Sequence, residues 1–195
     1  MLATAAYIVA SLLFILSLAG LSKHESAKGG IVYGVSGMAL ANGWNDPAAQ
    51  LGQVFLLIGL VLGAAIGLWR ARVVEMTGMP ELIAILHSFV GIAAVLIGWN
   101  GALFDAGTPE NLMGIHHAEI FIGVFIGAVT FTGSIVANLK LSAKISSKPL
   151  MLPGKNLLNV GALVAFIVLT VWYVITPDIS LLIAVTVLAL ALGWH

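Results

Sequence analysis

Apolar residues run through this chain in blocks separated by short polar stretches, and seven blocks stand out: residues 2–21, 31–44, 51–69, 80–99, 117–139, 157–175 and 179–195. A bilayer core takes about 20 apolar residues per helix. The pattern therefore predicts an all-α, polytopic bundle of about seven transmembrane helices. The second block is short and is expected to extend into Gly29 and Gly30 or into the Asn45–Asp46–Pro47 turn. The seventh stops at the chain end without a polar flank. No soluble domain, low-complexity tract or long linker interrupts the series, so residues 1–195 read as a single transmembrane domain.

Within the blocks, small residues recur at helical spacing. Gly59, Gly63 and Gly67 are four apart in the third, and His87, Gly91, Ala94 and Gly98 share a face in the fourth. The fifth has Gly123, Gly127, Thr130 and Ser134. Such stripes let helix backbones approach closely. In the fourth block the stripe includes a histidine, so His87 is expected to point at other helices and not at lipid. It lies about 10 Å in from Pro80 at 1.5 Å per residue. Burying an unpartnered imidazole costs a few kcal/mol. An ionisable group in a span is a functional candidate by default, and imidazole changes charge near neutral pH. The alternative is a neutral histidine that glues helices through a backbone carbonyl or serine. Position alone leaves both readings open.

Composition strengthens the membrane reading, since 61% of residues are hydrophobic and 8% are charged, too few to cover a soluble surface. Mean hydropathy is +1.11. The first block begins near Met1 without a basic segment before it, and reads as a retained helix rather than a signal peptide. Net charge is zero with no extended basic patch, which argues against a nucleic-acid partner. The absence of cysteine removes disulfides, thiol catalysis and cysteine-based metal sites.

Charge also orients the chain. Lys23, Lys28, Arg70, Arg72, Lys140, Lys144, Lys148 and Lys155 all fall after the first, third and fifth blocks. The alternate connections carry Asp46, Asp105, Glu110 and Asp178. Basic loops stay cytoplasmic, so the N-terminus is predicted outside. Trp44, Trp69, Trp99 and Trp194 sit at block ends, as interfacial aromatics do.

Other polar candidates are fewer. His116, His117 and Glu119 cluster at the start of the fifth block. They could ligate a metal, although such a cluster is more commonly a solvated helix start, and no metal site is assigned. Glu119 could instead feed protons from outside. His24 reads as a solvated loop residue, and His195 ends the chain. No phosphate-binding glycine loop, nucleophile elbow or Walker motif occurs, so no catalytic or cofactor-binding residue is assigned.

Four strings together resemble a known family: "AAYIVASLLFILSLAGLSKHESAKGG", "VEMTGMPELIAILHSFVGIAAVLIG", "FIGAVTFTGSIVANLKL" and "KISSKPLMLPGKN". They resemble the membrane domain of the β subunit of proton-translocating NAD(P) transhydrogenase. The resemblance implies hydride transfer between NAD(H) and NADP(H) coupled to proton passage, with both nucleotides held in soluble domains outside this chain. It implies as partners the transhydrogenase α subunit, the β subunit's own C-terminal NADP(H) domain and the lipid bilayer, in a dimer of αβ units. It further implies a bacterial inner membrane location, two further helices beyond this chain, and no hydride transfer by this chain alone. By the same resemblance His87, in "AILHSF", is the central proton-relay residue, and Ser134, in "TFTGS", lies near the pathway. The connection of residues 140–156 would face the soluble domains. A stand-alone transporter or channel and a non-catalytic scaffold are the rival readings. A retinal-type photoreceptor is excluded, because every lysine lies between blocks.

Overall fold

The structure is a computed structural model that describes residues 2–43, 50–104, 107–146 and 155–194. Among them are seven α-helices: α1 (Leu2–Leu21), α2 (Ala27–Gly43), α3 (Gln50–Val73), α4 (Met79–Leu103), α5 (Met113–Leu141), α6 (Lys155–Ile175) and α7 (Ile179–Trp194). Short 3-10 turns at His24–Ser26, Met76–Gly78 and Glu110–Leu112 precede α2, α4 and α5. Four helical segments, in α1, α3, α4 and α5, are long and apolar enough to cross a membrane. The apolar helices in 159–175 and 179–194 are shorter. The Asn45–Asp46–Pro47 turn, Trp44, Asp105, Lys148, His195 and the side chain of His24 lie outside the described residues.

The helices outrun the apolar blocks. The second block grows at its start, since α2 already contains Lys28, Gly29 and Gly30. Arg70 and Arg72 fall in the last turn of α3 and Lys140 in that of α5, not in loops as the block boundaries suggested. The extension has a physical cause. A helix satisfies its own backbone hydrogen bonds past the end of the apolar run, and long basic side chains reach out to the polar interface. The Arg70 guanidinium lies 5.8 Å from the Trp69 ring centroid, a cation–π arrangement at such an end.

The chain divides into two compact units, Met1–Val73 and Val74–His195. In the first, α1 and α2 form a hairpin of small residues. A Cβ on Gly20 would lie 2.7 Å from the Gly30 Cα, so the backbones touch there. Buried Ser17 donates to the Gly30 carbonyl at 2.6 Å, and Ser26 donates to the Gly20 carbonyl at 2.8 Å, closing the turn. No described residue of α3 is buried, and a Cβ on Gly59, Gly63 or Gly67 would meet nothing within 4 Å.

In the second unit α5 is central and packs on α4, α6 and α7. Phe121, Val124 and Ala128 of α5 are completely buried with Leu182, Val185 and Ala189 of α7. Toward α6 an aromatic ladder forms. Phe125 stacks on Phe166 at 4.0 Å between centroids, and Phe121 meets Tyr173 at 4.9 Å. On α4, Trp99 Nε1 donates to Thr186 Oγ1 of α7 at 3.3 Å.

Candidate functional site

Helices α4 and α5 run antiparallel and close together, and glycine makes this possible. A Cβ on Gly91 would lie 2.7 Å from the Gly127 carbonyl oxygen, and one on Gly127 would lie 2.8 Å from the Gly91 oxygen. Further along, Gly98 lies against Val124 and Ile120. At the other end Asn138 Nδ2 donates to the Glu81 carbonyl at 2.9 Å. These pairings fix the register.

His87 stands at the edge of that interface. Along α4, Ser88, Gly91, Val95 and Gly98 are buried, whereas His87 is exposed. The expectation that His87 points at neighbouring helices is thus corrected for this chain. At about 100° per residue the four buried positions centre between Gly91 and Val95, and His87 falls about 60° to one side, on the flank of Ala94. Spacing alone put His87 in line with Gly91 and Ala94, but the packed stripe leans the other way. Ser88, beside it, is buried and donates to the Ile85 carbonyl at 2.7 Å.

The register places Ser134, which is half-buried, within about one helical turn of the level of His87. Glu119 and His116 lie at the other end, since both Ile120 and His116 approach Gly101. From His87 to the level of Gly101 is about 21 Å along α4. The structure therefore brings His87 and Ser134 to one depth and separates Glu119 from both.

His116 and Glu119 share a different feature, a cavity of about 490 Å³ between α4 and α5. Asn100 and Thr108 join them in its polar lining, while Ala94, Ile97 and Gly123 line its apolar part. Sequence reading missed Asn100 and Thr108. Asn100 follows Trp99 just past the end of the fourth apolar block, and only the α4–α5 register turns it into a cavity wall. His116 and His117 diverge, because consecutive helical residues point about 100° apart. The His117 ring meets Tyr173 of α6 edge-on at 5.9 Å. Among the described residues no group of three or more His, Asp or Glu side chains is placed to hold a metal ion.

A bundle of long apolar helices with a histidine on a spanning segment defines a helical membrane protein. The particular family follows from comparison with known proteins. The family model "NAD(P) transhydrogenase beta subunit" matches residues 3–195. The chain is 38% identical over 199 residues to the NAD(P) transhydrogenase subunit beta of Rhodospirillum rubrum. It is equally similar to the protein of that name from R. rubrum strain ATCC 11170. Each match covers 99% of this chain and 43% of the relative, so the chain spans less than half the length of these curated relatives. The chain belongs to the NAD(P) transhydrogenase β-subunit family.

Proposed function

We propose that these 195 residues form the proton-conducting membrane part of a proton-translocating NAD(P) transhydrogenase, with His87 as the relay. The observation that carries this reading is the setting of His87. It is an imidazole about 12 Å inside a spanning helix, outside the packed contact and level with Ser134. A histidine used as glue would sit in the α4–α5 contact, where Gly91 and Gly98 sit instead. A flank clear of the α4–α5 contact leaves the ring free to meet a further helix or water, which suits a group that loads and releases protons near neutral pH.

In this reading all seven helices span a bacterial inner membrane, with the N-terminus outside and the basic helix ends in the cytoplasm. NAD(H) and NADP(H) bind to the α subunit and to an NADP(H) domain of the β subunit, within a dimer of αβ units. Hydride passes between those domains, and this chain alone is inactive. Residues 140–156 face the soluble domains. Nucleotide binding drives proton access only through a difference in affinity between two states of the membrane part. One proton crossing 100 mV carries about 2.3 kcal/mol. That is enough to bias a near-balanced hydride exchange.

The test is His87→Ala in the complete enzyme, with assembled protein quantified beside ΔpH formation in vesicles. Pumping per assembled complex is expected to fall at least about tenfold, as for loss of a proton-transfer group. Assembly is expected to persist, because Gly91, Ala94 and Gly98 still pack. Normal pumping per complex would overturn the relay.

A further inference from the structure

Two ties hold α4 against α5, and His87 lies between them. One is the glycine crossing, where Gly91 and Gly127 bring the backbones together. The other is the 2.9 Å hydrogen bond from Asn138 Nδ2 to the Glu81 carbonyl. The ties are ten residues apart on α4, about 15 Å. On α5 they are eleven residues apart, so the antiparallel helices stay in step between them. His87 lies six residues from Glu81 and four from Gly91, and Ser134 lies four from Asn138 and seven from Gly127.

The ties differ in kind. The crossing fixes how closely the backbones approach. Glycine has no side chain to interlock, so this contact alone does little to stop α4 from swivelling about its own axis. A hydrogen bond does resist swivelling, because it weakens steeply as it lengthens or bends. Backbone Cα atoms lie about 2.3 Å from the helix axis, so a turn of about 60° would carry the Glu81 carbonyl about 2 Å sideways, out of its bond to Asn138. A turn of that size is also what separates His87 at the edge of the α4–α5 contact from its middle. The carbonyl has two lone pairs and can accept from Asn138 beside the bond of its own helix. Asn138 is also where α5 is capped. Its own carbonyl accepts from the Ser142 backbone N–H at 2.9 Å and the Ser142 hydroxyl at 2.8 Å. The Leu139 carbonyl accepts from the N–H groups of Lys144 and Ile145 at 3.0 and 3.2 Å, around Ala143 with its φ of 55°. One residue thus joins the cap of α5 to the first turn of α4.

We infer that Asn138 is a positioning residue for proton transfer: its amide holds the start of α4 so that His87 stays on the flank of the contact and level with Ser134. The inference rests on the reading of His87 as the relay. Asn138 exchanges no proton and acts only through the place it gives His87. Because the same residue caps α5, the connection that follows the cap is joined mechanically to the helix of the histidine.

The test uses the complete enzyme in vesicles. Asn138→Leu keeps the size of the side chain and removes the donor. Proton pumping per assembled complex is expected to fall at least about fivefold, since a misplacement of about 1 Å is enough for a larger loss. The kcat of coupled hydride transfer is expected to fall with it, while KM for each nucleotide stays within about twofold. A merely structural residue would change the amount of assembled enzyme and leave its turnover alone. The substitution is repeated in the His87→Ala background, where it should lower the residual turnover by less than about twofold, because residues that act as a unit are not additive. A smaller loss from Asn138→Leu alone overturns the inference, as does a larger further loss in the His87→Ala background. If Asn138→Leu does not assemble, Asn138→Ala is read in the same way. Failure of both to assemble means that Asn138 holds the fold and not the relay, and also overturns it. Normal pumping by His87→Ala alone defeats the relay itself, so the two failures are distinct.

Discussion

Gly63 of α3 and Gly127 of α5 look alike in sequence, each a glycine in an apolar helix with another glycine four residues before it. Their surroundings are opposite. Around Gly127 the backbone of α4 is in contact, and a Cβ would lie 2.9 Å from both Ala94 Cβ and Val95 N. Around Gly63 there is open space, as there is around Gly59 and Gly67. Small-residue spacing thus marks a helix that can pack closely, and a facing helix with its own small residues decides whether it does. The α1–α2 hairpin shows the same rule from the packed side, where Gly20 meets Gly30 and Gly37 meets the Ala10 carbonyl. Both packed pairs have small residues on both helices.

The largest expected effect comes from filling the crossing. Gly127→Leu should cost about 3 kcal/mol, the upper end of overpacking costs, because its neighbours are α4 backbone atoms and the Ala94 Cβ, which cannot swing aside. Gly63→Leu should stay within about 0.5 kcal/mol, as for a surface change. Denaturant unfolding of the chain in detergent micelles measures both. Equal destabilisation by the two would break the contrast and would mean that α3 packs against a helix through its stripe.

The next effect separates glycine contact from hydrogen bonding in the hairpin. Ser17→Ala removes the buried donor to the Gly30 carbonyl and should cost about 1 kcal/mol by the same unfolding measurement. A loss as large as that of Gly127→Leu would show that the hairpin depends on this bond more than on its glycines. Smaller again is Trp99→Phe, which keeps an aromatic ring near the core but loses the 3.3 Å bond to Thr186. About 0.6 kcal/mol is expected, the average for such bonds between membrane helices. Thr186 Oγ1 also donates to the Leu182 carbonyl at 2.6 Å, so it keeps a partner when the tryptophan is gone.

The smallest effect lies outside both stripes, in the exposed turn before α7. Asp178 accepts hydrogen bonds from the Ser180 hydroxyl and backbone N–H, which hold its carboxyl below the ordinary value of 3.8. The folded state therefore favours the carboxylate more than the unfolded state does. This contribution is present above 3.8 and is lost as pH falls through the lower folded value. Asp178→Asn keeps a capping side chain but cannot titrate. The stability difference between parent and variant should shrink as pH is lowered below 3.8, and a difference that grows on acidification would reverse the assignment.

The number and type of the helices were legible in the sequence, because a long apolar run has few ways to satisfy its backbone other than as a helix. Legible too were His87 as an ionisable group inside a span, the small-residue stripes, and the segregation of basic residues to alternate connections. The helix ends were less so, since hydropathy marks where the apolar run stops and the backbone hydrogen bonds continue past it. That explains why α2 begins at Ala27 and why Arg70 and Arg72 are helical.

Only the tertiary structure decided which stripe is packed, on which side of the α4–α5 contact His87 falls, and that Glu119 shares a cavity with Asn100 while lying far along the axis from His87. Periodicity within one helix fixes which residues share a face, but not which neighbour meets that face or by how many degrees the contact is rotated. A shift of about 60° moves His87 from the middle of an interface to its open edge. That rotation follows from how Gly91 and Gly98 of α4 seat against Gly127, Val124 and Ile120 of α5, a packing choice that no single helix encodes.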